Sequence, residues 1–287
     1  MLRYVSQKLG SGKRVQDLLL LRLLLDNPKV SQSRFAEAVR EVSPSLPVAA
    51  CSVRGMLNGT FLTGGQAKTF ALSKFLAEGD GDFEISDLFA TALEDEELRR
   101  QLAEVVDYGI FVNGKRFADN YDHTSLVLYQ KYTYEDVCRL LEWRRNVNGN
   151  SIGGYFYDEE TNTFPVFINY EKSDDISDTT KYQDRFLSPS RLIAISKSQR
   201  RMDSKDIVRL RHAEETGMRT FLFMRKNKSD AESKEFYYLG EMRPTGMFKP
   251  IMMPNGNKPS KPAVEIEYDL LTPVRDELYE YLTSGEG

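Results

Sequence analysis

From Val15 to about Trp143 apolar residues recur at three- and four-residue intervals, and beyond that point the period shortens to two. "VQDLLLLRLLLD" predicts a helix with a core-facing leucine stripe, and "SQSRFAEAVREV" predicts a second that opens on a serine cap. Pro28, Pro44 and Pro47 punctuate the joins. "ISDLFATALEDEELRRQLAEVV" places Ile85, Leu88, Phe89, Leu93, Leu98, Leu102 and Val105 on one side and charges opposite, the pattern of one long helix packed on a bundle. "YTYEDVCRLLEW", residues 132 to 143, predicts a short amphipathic helix capped by Thr133 with Asp136 in its first turn.

The second half reads differently. "NVNGNSIGGYFYD" is turn-rich, while "TFPVFINYEK", "TFLFMRK" and "EFYYLGEM" predict strands. "AVEIEYDLL" alternates Val264, Ile266 and Tyr268 with Glu265, Glu267 and Asp269, the mark of a half-buried strand. A helix from Pro273 to Leu282 follows, and "MMPNGNKPSKP", residues 252 to 262, reads as a mobile loop because of its Pro and Gly content. The class is therefore α+β, with a helical domain over residues 1–130 and a β-rich domain over 131–287.

Composition narrows the function classes. A chain of 287 residues with 40% hydrophobic content can bury a sizeable core. No stretch approaches the roughly 20 apolar residues that a membrane span needs, and the first residues lack the apolar core of a secretory signal, so the expected address is cytoplasmic. A zinc site would need Cys51, Cys138, His123 and His212 together, at spacings that match no metal motif. The net charge of −4 conceals a basic region: Lys181 to Lys205 holds seven Lys or Arg against two Asp.

The acid-rich stretch "INYEKSDDISDTTKYQDRF", residues 168 to 186, invites three chemical readings. A magnesium nuclease needs Glu and Lys two apart on one strand face, whereas Glu171 and Lys172 are adjacent and point oppositely. Asp158 to Glu160 lie in "DEETNT", where acids and Asn build a turn. "SDDISDTT" lacks the interior Gly and closing Glu of a calcium loop, and "GSGKRV" is too short for a nucleotide-binding P-loop. Arg54 and Asn58 could project from the second helix of a helix-turn-helix, but the join before it is long and Pro-rich, so plain bundle helices are expected. His123 and His212 read as surface histidines. What remains is nucleic-acid binding through "KSQRRMDSKDIVRLR", which presents Lys197, Arg200, Arg201, Lys205, Arg209 and Arg211.

The ordered segments "YTYEDVCRLLEW", "GGYFYDEETNTFPVFINYEKSDDISDTTKYQDRFLSPSRL", "SKSQR", "FYYLGE" and "LTPVRDELYEYL" resemble the C-terminal domain of unknown function that follows superfamily 2 helicase motors, including type IV restriction enzymes of the SauUSI kind. The resemblance covers about Tyr132 to Leu282, and the helical part before it looks like the connector between motor and C-terminal domain. It implies an SRA-like, PUA-related β-barrel with flanking helices that recognises duplex DNA containing modified cytosine, 5-methylcytosine above all, with the base extruded into a pocket.

On that resemblance Tyr170 and Tyr182 are candidate stacking platforms, Asp184 a candidate acceptor for the cytosine amino group, and Lys172 and Arg185 candidate phosphate contacts. Lys197, Ser198, Arg200 and Arg201 form a further candidate phosphate-binding run. No catalytic residue, metal or cofactor is expected. Relatives often carry Trp where this sequence has Ala194, and the best-known ones carry a nuclease and a helicase that this chain lacks. It is therefore expected not to cleave or translocate DNA alone, whether it is a portion of a larger protein or a separate subunit, and its expected partners are duplex DNA and helicase or nuclease domains. Two alternatives stay open: an enzyme, metal-dependent nuclease or base-processing, with acids in 174–184, and a protein–protein scaffold built by the helical half.

Overall fold

Asp95 ends what the apolar pattern reads as one long helix. Its carboxylate accepts the Leu98 N–H at 3.1 Å, an N-cap that starts a new helix, so the segment is two helices, Asp87–Ala92 and Glu96–Arg116. Leu88, expected in the core, is 46% exposed, and the face that buries carries Phe89, Leu102 and Val106.

The computed structural model describes residues 1–147, 154–170, 184–226, 234–255 and 258–284. The chain divides into two compact units, one of Met1–Val127 with Tyr134–Gly149, the other of Leu128–Thr133 with Asn150–Gly287. A single cut near residue 130 does not describe this division, because Tyr134–Gly149 returns to the first unit.

The first unit holds α1 (Leu2–Tyr4) with a π turn at Val5–Leu9, then α2 (Val15–Asp26), α3 (Gln32–Val42), α4 (Ala50–Leu57), α5 (Gly64–Thr69), α6 (Asp87–Ala92), α7 (Glu96–Arg116) and α8 (Tyr134–Leu140). A two-residue antiparallel pair joins β1 (Lys29–Val30) to β2 (Phe83–Glu84). α2 is buried on nearly every side, and α7 approaches it so closely at Gly109 that an added Cβ would stand 2.8 Å from Leu18 Cδ1. The readers expected of a helix-turn-helix are engaged internally. Arg54 lies over the Phe83 ring and donates to the Gly81 carbonyl at 2.7 Å, and Asn58 accepts from Leu76 N–H at 3.0 Å.

A charged cluster is buried in this unit. The fully enclosed Arg14 side chain pairs with Asp17 at 3.1 Å and with Glu142, and both Arg14 and Glu142 bond Ser52. Burial pushes the Glu142 carboxyl up to about 7, against the pull of Arg14 and Ser52.

The second unit is built on a seven-stranded sheet. β3 (Lys131–Tyr132), β4 (Thr163–Asn169), β5 (Arg185–Ser188), β6 (Arg191–Ile195), β7 (Arg219–Arg225), β8 (Phe236–Asn255) and β9 (Lys258–Leu270) take the order β4-β7-β8-β9-β6-β5, with β3 beside the start of β8. β4 and β7 pair in parallel over seven residues each, and every other ladder is antiparallel. A parallel pair requires a long crossover. Here the crossover runs through β5, β6, α9 (Lys205–Arg211) and α10 (Ala213–Thr216). Among the described residues no ladder joins the end strands β4 and β5 into a closed barrel.

The alternation expected of β9 is present. Val264, Ile266 and Tyr268 are fully buried, while Glu265 meets Arg185 at 3.2 Å and Asp269 meets Arg191 at 2.6 Å. The final helix, α11 (Asp276–Thr283), buries Leu278 and Leu282 in the same core. The expected loop over residues 252–262 is instead a β-ribbon: Met252 pairs with Pro262, Met253 with Lys261 and Asn255 with Lys258. Pro262 turns its carbonyl outward to the Gln199 N–H, and Pro254 sits at the register shift between Met253 and Asn255, positions where a missing N–H is tolerated.

Candidate functional site

The basic run 197–209 meets the aromatic triplet Tyr155–Tyr157 around a cleft of about 500 Å³ in the second unit. Lys197, Arg200, Lys205 and Arg209 line it together with Tyr155, Phe156, Tyr157 and Phe164, and Asp206 is the one acid among the described lining residues.

Helical spacing explains the basic wall. Lys205 and Arg209 are four apart in α9 and share a face, while Ile207 and Leu210 turn into the core. Arg211, on the same helix, is exposed and does not line the cleft. The aromatic wall begins at Gly154, which holds φ +82°, and whose added Cβ would lie 2.8 Å from the Phe167 carbonyl oxygen. Only glycine permits that turn so close to the β4 backbone, and the Phe167 N–H donates to Gly154 O at 2.7 Å.

Each cation has a defined setting. Lys197 lies 5.4 Å from the centre of the Phe156 ring; burial holds its pKa below the ordinary lysine value, nearby Arg200 adds to that, and Asp206 opposes it. Arg200 Nε donates to Asp206 at 2.5 Å, so the cleft's acid is already paired. Arg209 stands 4.2 Å from the centre of the Tyr157 ring.

The Tyr155 side chain is buried, its hydroxyl enclosed and without a hydrogen-bond partner among the described residues. Burial raises its pKa well above the usual phenol value, with Tyr268, Asp184 and Asp206 adding to the effect.

The residues expected from sequence fall in different places. Lys197 and Arg200 line the cleft, Ser198 and Arg201 are exposed beside it, and Gln199 between them holds a left-handed φ of 69° with its N–H on the Pro262 carbonyl. Tyr170 is core: its ring lies 5.8 Å from that of Phe186, and its hydroxyl accepts the Phe186 N–H at 3.4 Å, so neither face is open for stacking. Asp184 accepts the Ile195 N–H at 2.7 Å, and burial pushes its carboxyl up to about 6. Arg185 is paired to Glu265. Lys172, Tyr182 and the acids of 174–178 lie outside the described residues.

Sequence reasoning placed Lys205 and Arg209 in the basic run without assigning them a site, and gave no role to Tyr155, Phe156 or Tyr157. The signal was available: three successive aromatics after a glycine pair, and two cations at i and i+4. What it lacked was the sheet order that brings the two segments together.

A family model described as "Domain of unknown function (DUF3427)" matches residues 126–282, more than half of the chain, and one described as "Domain of unknown function (DUF8090)" matches residues 1–118. No curated protein matches the sequence. A solved structure, "Sulfur binding domain and SRA domain of ScoMcrA complexed with phosphorothioated DNA", aligns at 9% identity and a TM-score of 0.35, over 77% of this chain and 66% of that one. At that distance it transfers neither fold nor chemistry. No helix among the described residues is long and apolar enough to cross a membrane.

Proposed function

This chain belongs to the DUF3427 family, and on that premise we propose that it is a DNA-binding specificity module whose second unit reads duplex DNA carrying a modified cytosine. The observation that carries the reading is the cleft, where Lys197, Arg200, Lys205 and Arg209 face an aromatic wall. Cations at this density hold phosphates, and aromatic faces accept an unstacked base. Extruding a base costs a few kcal/mol of stacking, which a cleft recovers through ring contacts and hydrogen bonds to the base edge. In this reading the sheet is SRA-like, the base is 5-methylcytosine, and the first unit is a connector to helicase and nuclease parts of a restriction system.

The chain itself is proposed to be non-enzymatic, a reading in keeping with two described acids, Asp206 paired to Arg200 and Asp184 accepting a backbone N–H. Titration by fluorescence anisotropy against duplexes that differ only in cytosine, 5-methylcytosine or 5-hydroxymethylcytosine tests the proposal. Tighter binding to one modified duplex, abolished by Phe156→Ala, is the expected result. Equal affinity for all three would remove the modified-base reading, and absence of binding at low salt would remove the DNA reading altogether. Cleavage that needs magnesium and stops with EDTA would restore the enzyme alternative.

A further inference from the structure

We propose that the β8–β9 ribbon is an arm that lies in a groove of the duplex, next to the cleft; this rests on the DNA-binding reading above. Three observations carry it. The first is the ribbon's independence from the sheet. The last partner of β7 on β8 is Met242, and the last partner of β6 on β9 is Glu265. Beyond Glu265 the strands pair with each other out to Asn255 and Lys258, flanked as far as Pro262 by the segment that carries Gln199. A two-stranded ribbon has the width that the major groove admits.

The second observation is charge. No Asp or Glu occurs from Met242 to Val264, a stretch that contains Arg243, Lys249, Lys258 and Lys261. Lys249 pairs opposite Glu265, and Lys261 opposite Met253, which places Lys249 and Lys261 on one face of the ribbon. They are separated by four residues, about 13 Å along the strand, so one face can meet successive phosphates of a backbone. The Lys249 side chain is 70% exposed, 4.0 Å from the buried Glu265 carboxylate. Met247 and Met252 are 60% and 54% exposed; Met252 pairs with Pro262, out of phase with the two lysines, and so lies on the opposite face of the ribbon from them.

The third observation is continuity. Arg200 lines the cleft and also an apolar hollow of about 520 Å³ at the ribbon's root, with Met202, Ile251 and Met252. One cation therefore belongs to both surfaces. Prolines argue against a strand from another protein as the occupant. Pro244, Pro250 and Pro254 on one strand, with Pro259 and Pro262 on the other, remove edge N–H donors that an added strand would need.

The test uses the full chain and a short fluorescein-labelled duplex, titrated at several salt concentrations. Lys249→Ala with Lys261→Ala is expected to lower the slope of log affinity against log salt by about 1.8, the value for two lost phosphate contacts. Met252→Ala, on the opposite face, is expected to leave affinity and slope unchanged. If the wild type binds with its full slope and the double lysine variant matches it, the ribbon assignment fails while the cleft reading stands. If the wild type binds no duplex, both fail. A concentration-dependent dimer of the DNA-free chain that Met252→Ala dissolves would give the ribbon to a second copy and overturn the assignment. Circular dichroism of each variant checks that the fold is kept.

Discussion

The guanidinium of Arg209 lies over the ring of Tyr157, whose hydroxyl in turn bonds the Asn162 side chain at 3.2 Å. Asn162 is anchored by its own amide to the Thr216 carbonyl at 2.9 Å. The ring is thus fixed from behind, and the ring positions the charge in front. Arg209→Ala is expected to weaken duplex binding about tenfold and to lower the salt slope by about 0.9. Arg209→Lys should restore the slope without the affinity, because an ammonium keeps the charge but loses the planar stacking of the guanidinium. Anisotropy titrations at several salt concentrations read both quantities.

Gly154→Ala should damage the aromatic wall from its backbone. The substitution combines a positive φ with a Cβ 2.8 Å from a carbonyl oxygen of β4. Strain of this kind costs on the order of 1–3 kcal/mol. The expected result is a lower midpoint of thermal unfolding together with weaker DNA binding, whereas Gly65→Ala, where nothing lies within 4 Å of the added Cβ, should leave binding unchanged.

Asp184 makes the fold sensitive to pH in a defined direction. Burial holds its folded pKa at about 6 against the ordinary 3.8. The folded chain therefore binds more protons between those values, so this contribution to stability is complete below about 4 and is lost as pH rises through about 6. Asp184→Asn keeps an oxygen for the Ile195 N–H and removes the titration. At pH 7 it should be more stable than the wild type by roughly 1–2 kcal/mol, allowing for the residue's partial exposure, and the two should converge near pH 4. Urea unfolding at both pH values measures the difference.

The Arg14 cluster should respond asymmetrically. Arg14→Ala leaves Asp17 and Glu142 without their hydrogen-bonded cation and with only the field of Arg139, and loss of one partner from such a pair costs about 3–5 kcal/mol. Glu142→Gln leaves Arg14 its bond to Asp17, and should cost much less. A urea denaturation midpoint that falls by the same amount in both variants would contradict this account.

Period and caps made most elements legible in the sequence. The strand alternation of Val264, Ile266 and Tyr268 pointed to the face they bury. The failures have physical causes. Asp95 interrupts an apolar pattern that continues past it, so only the cap reveals two helices. The 252–262 ribbon hides behind prolines that a two-stranded edge tolerates and a loop also favours. Tyr170 and Asp184 share a stretch with exposed charges, yet one packs on Phe186 and the other on a backbone N–H, contacts set by a partner strand rather than by neighbours in sequence. Lys197 and Arg200 were legible as a basic run, whereas their aromatic counterparts required knowledge of how the crossover folds over the sheet.

The sheet order has a consequence for how the protein comes into being. Every described side chain that lines the cleft lies between Tyr155 and Arg209, but the strands that fill the middle of the sheet, β7, β8 and β9, begin only at Arg219. β4 and β5 are successive in sequence yet occupy opposite ends of the sheet, a topology of long-range pairings that folds slowly. During synthesis the ribosome therefore releases the described cleft groups before the framework that gathers them exists. A nascent or truncated chain ending before Arg219 would display its cations and aromatic rings as a loose polyelectrolyte, and the capacity to discriminate one base from another would arrive only with the last quarter of the polypeptide.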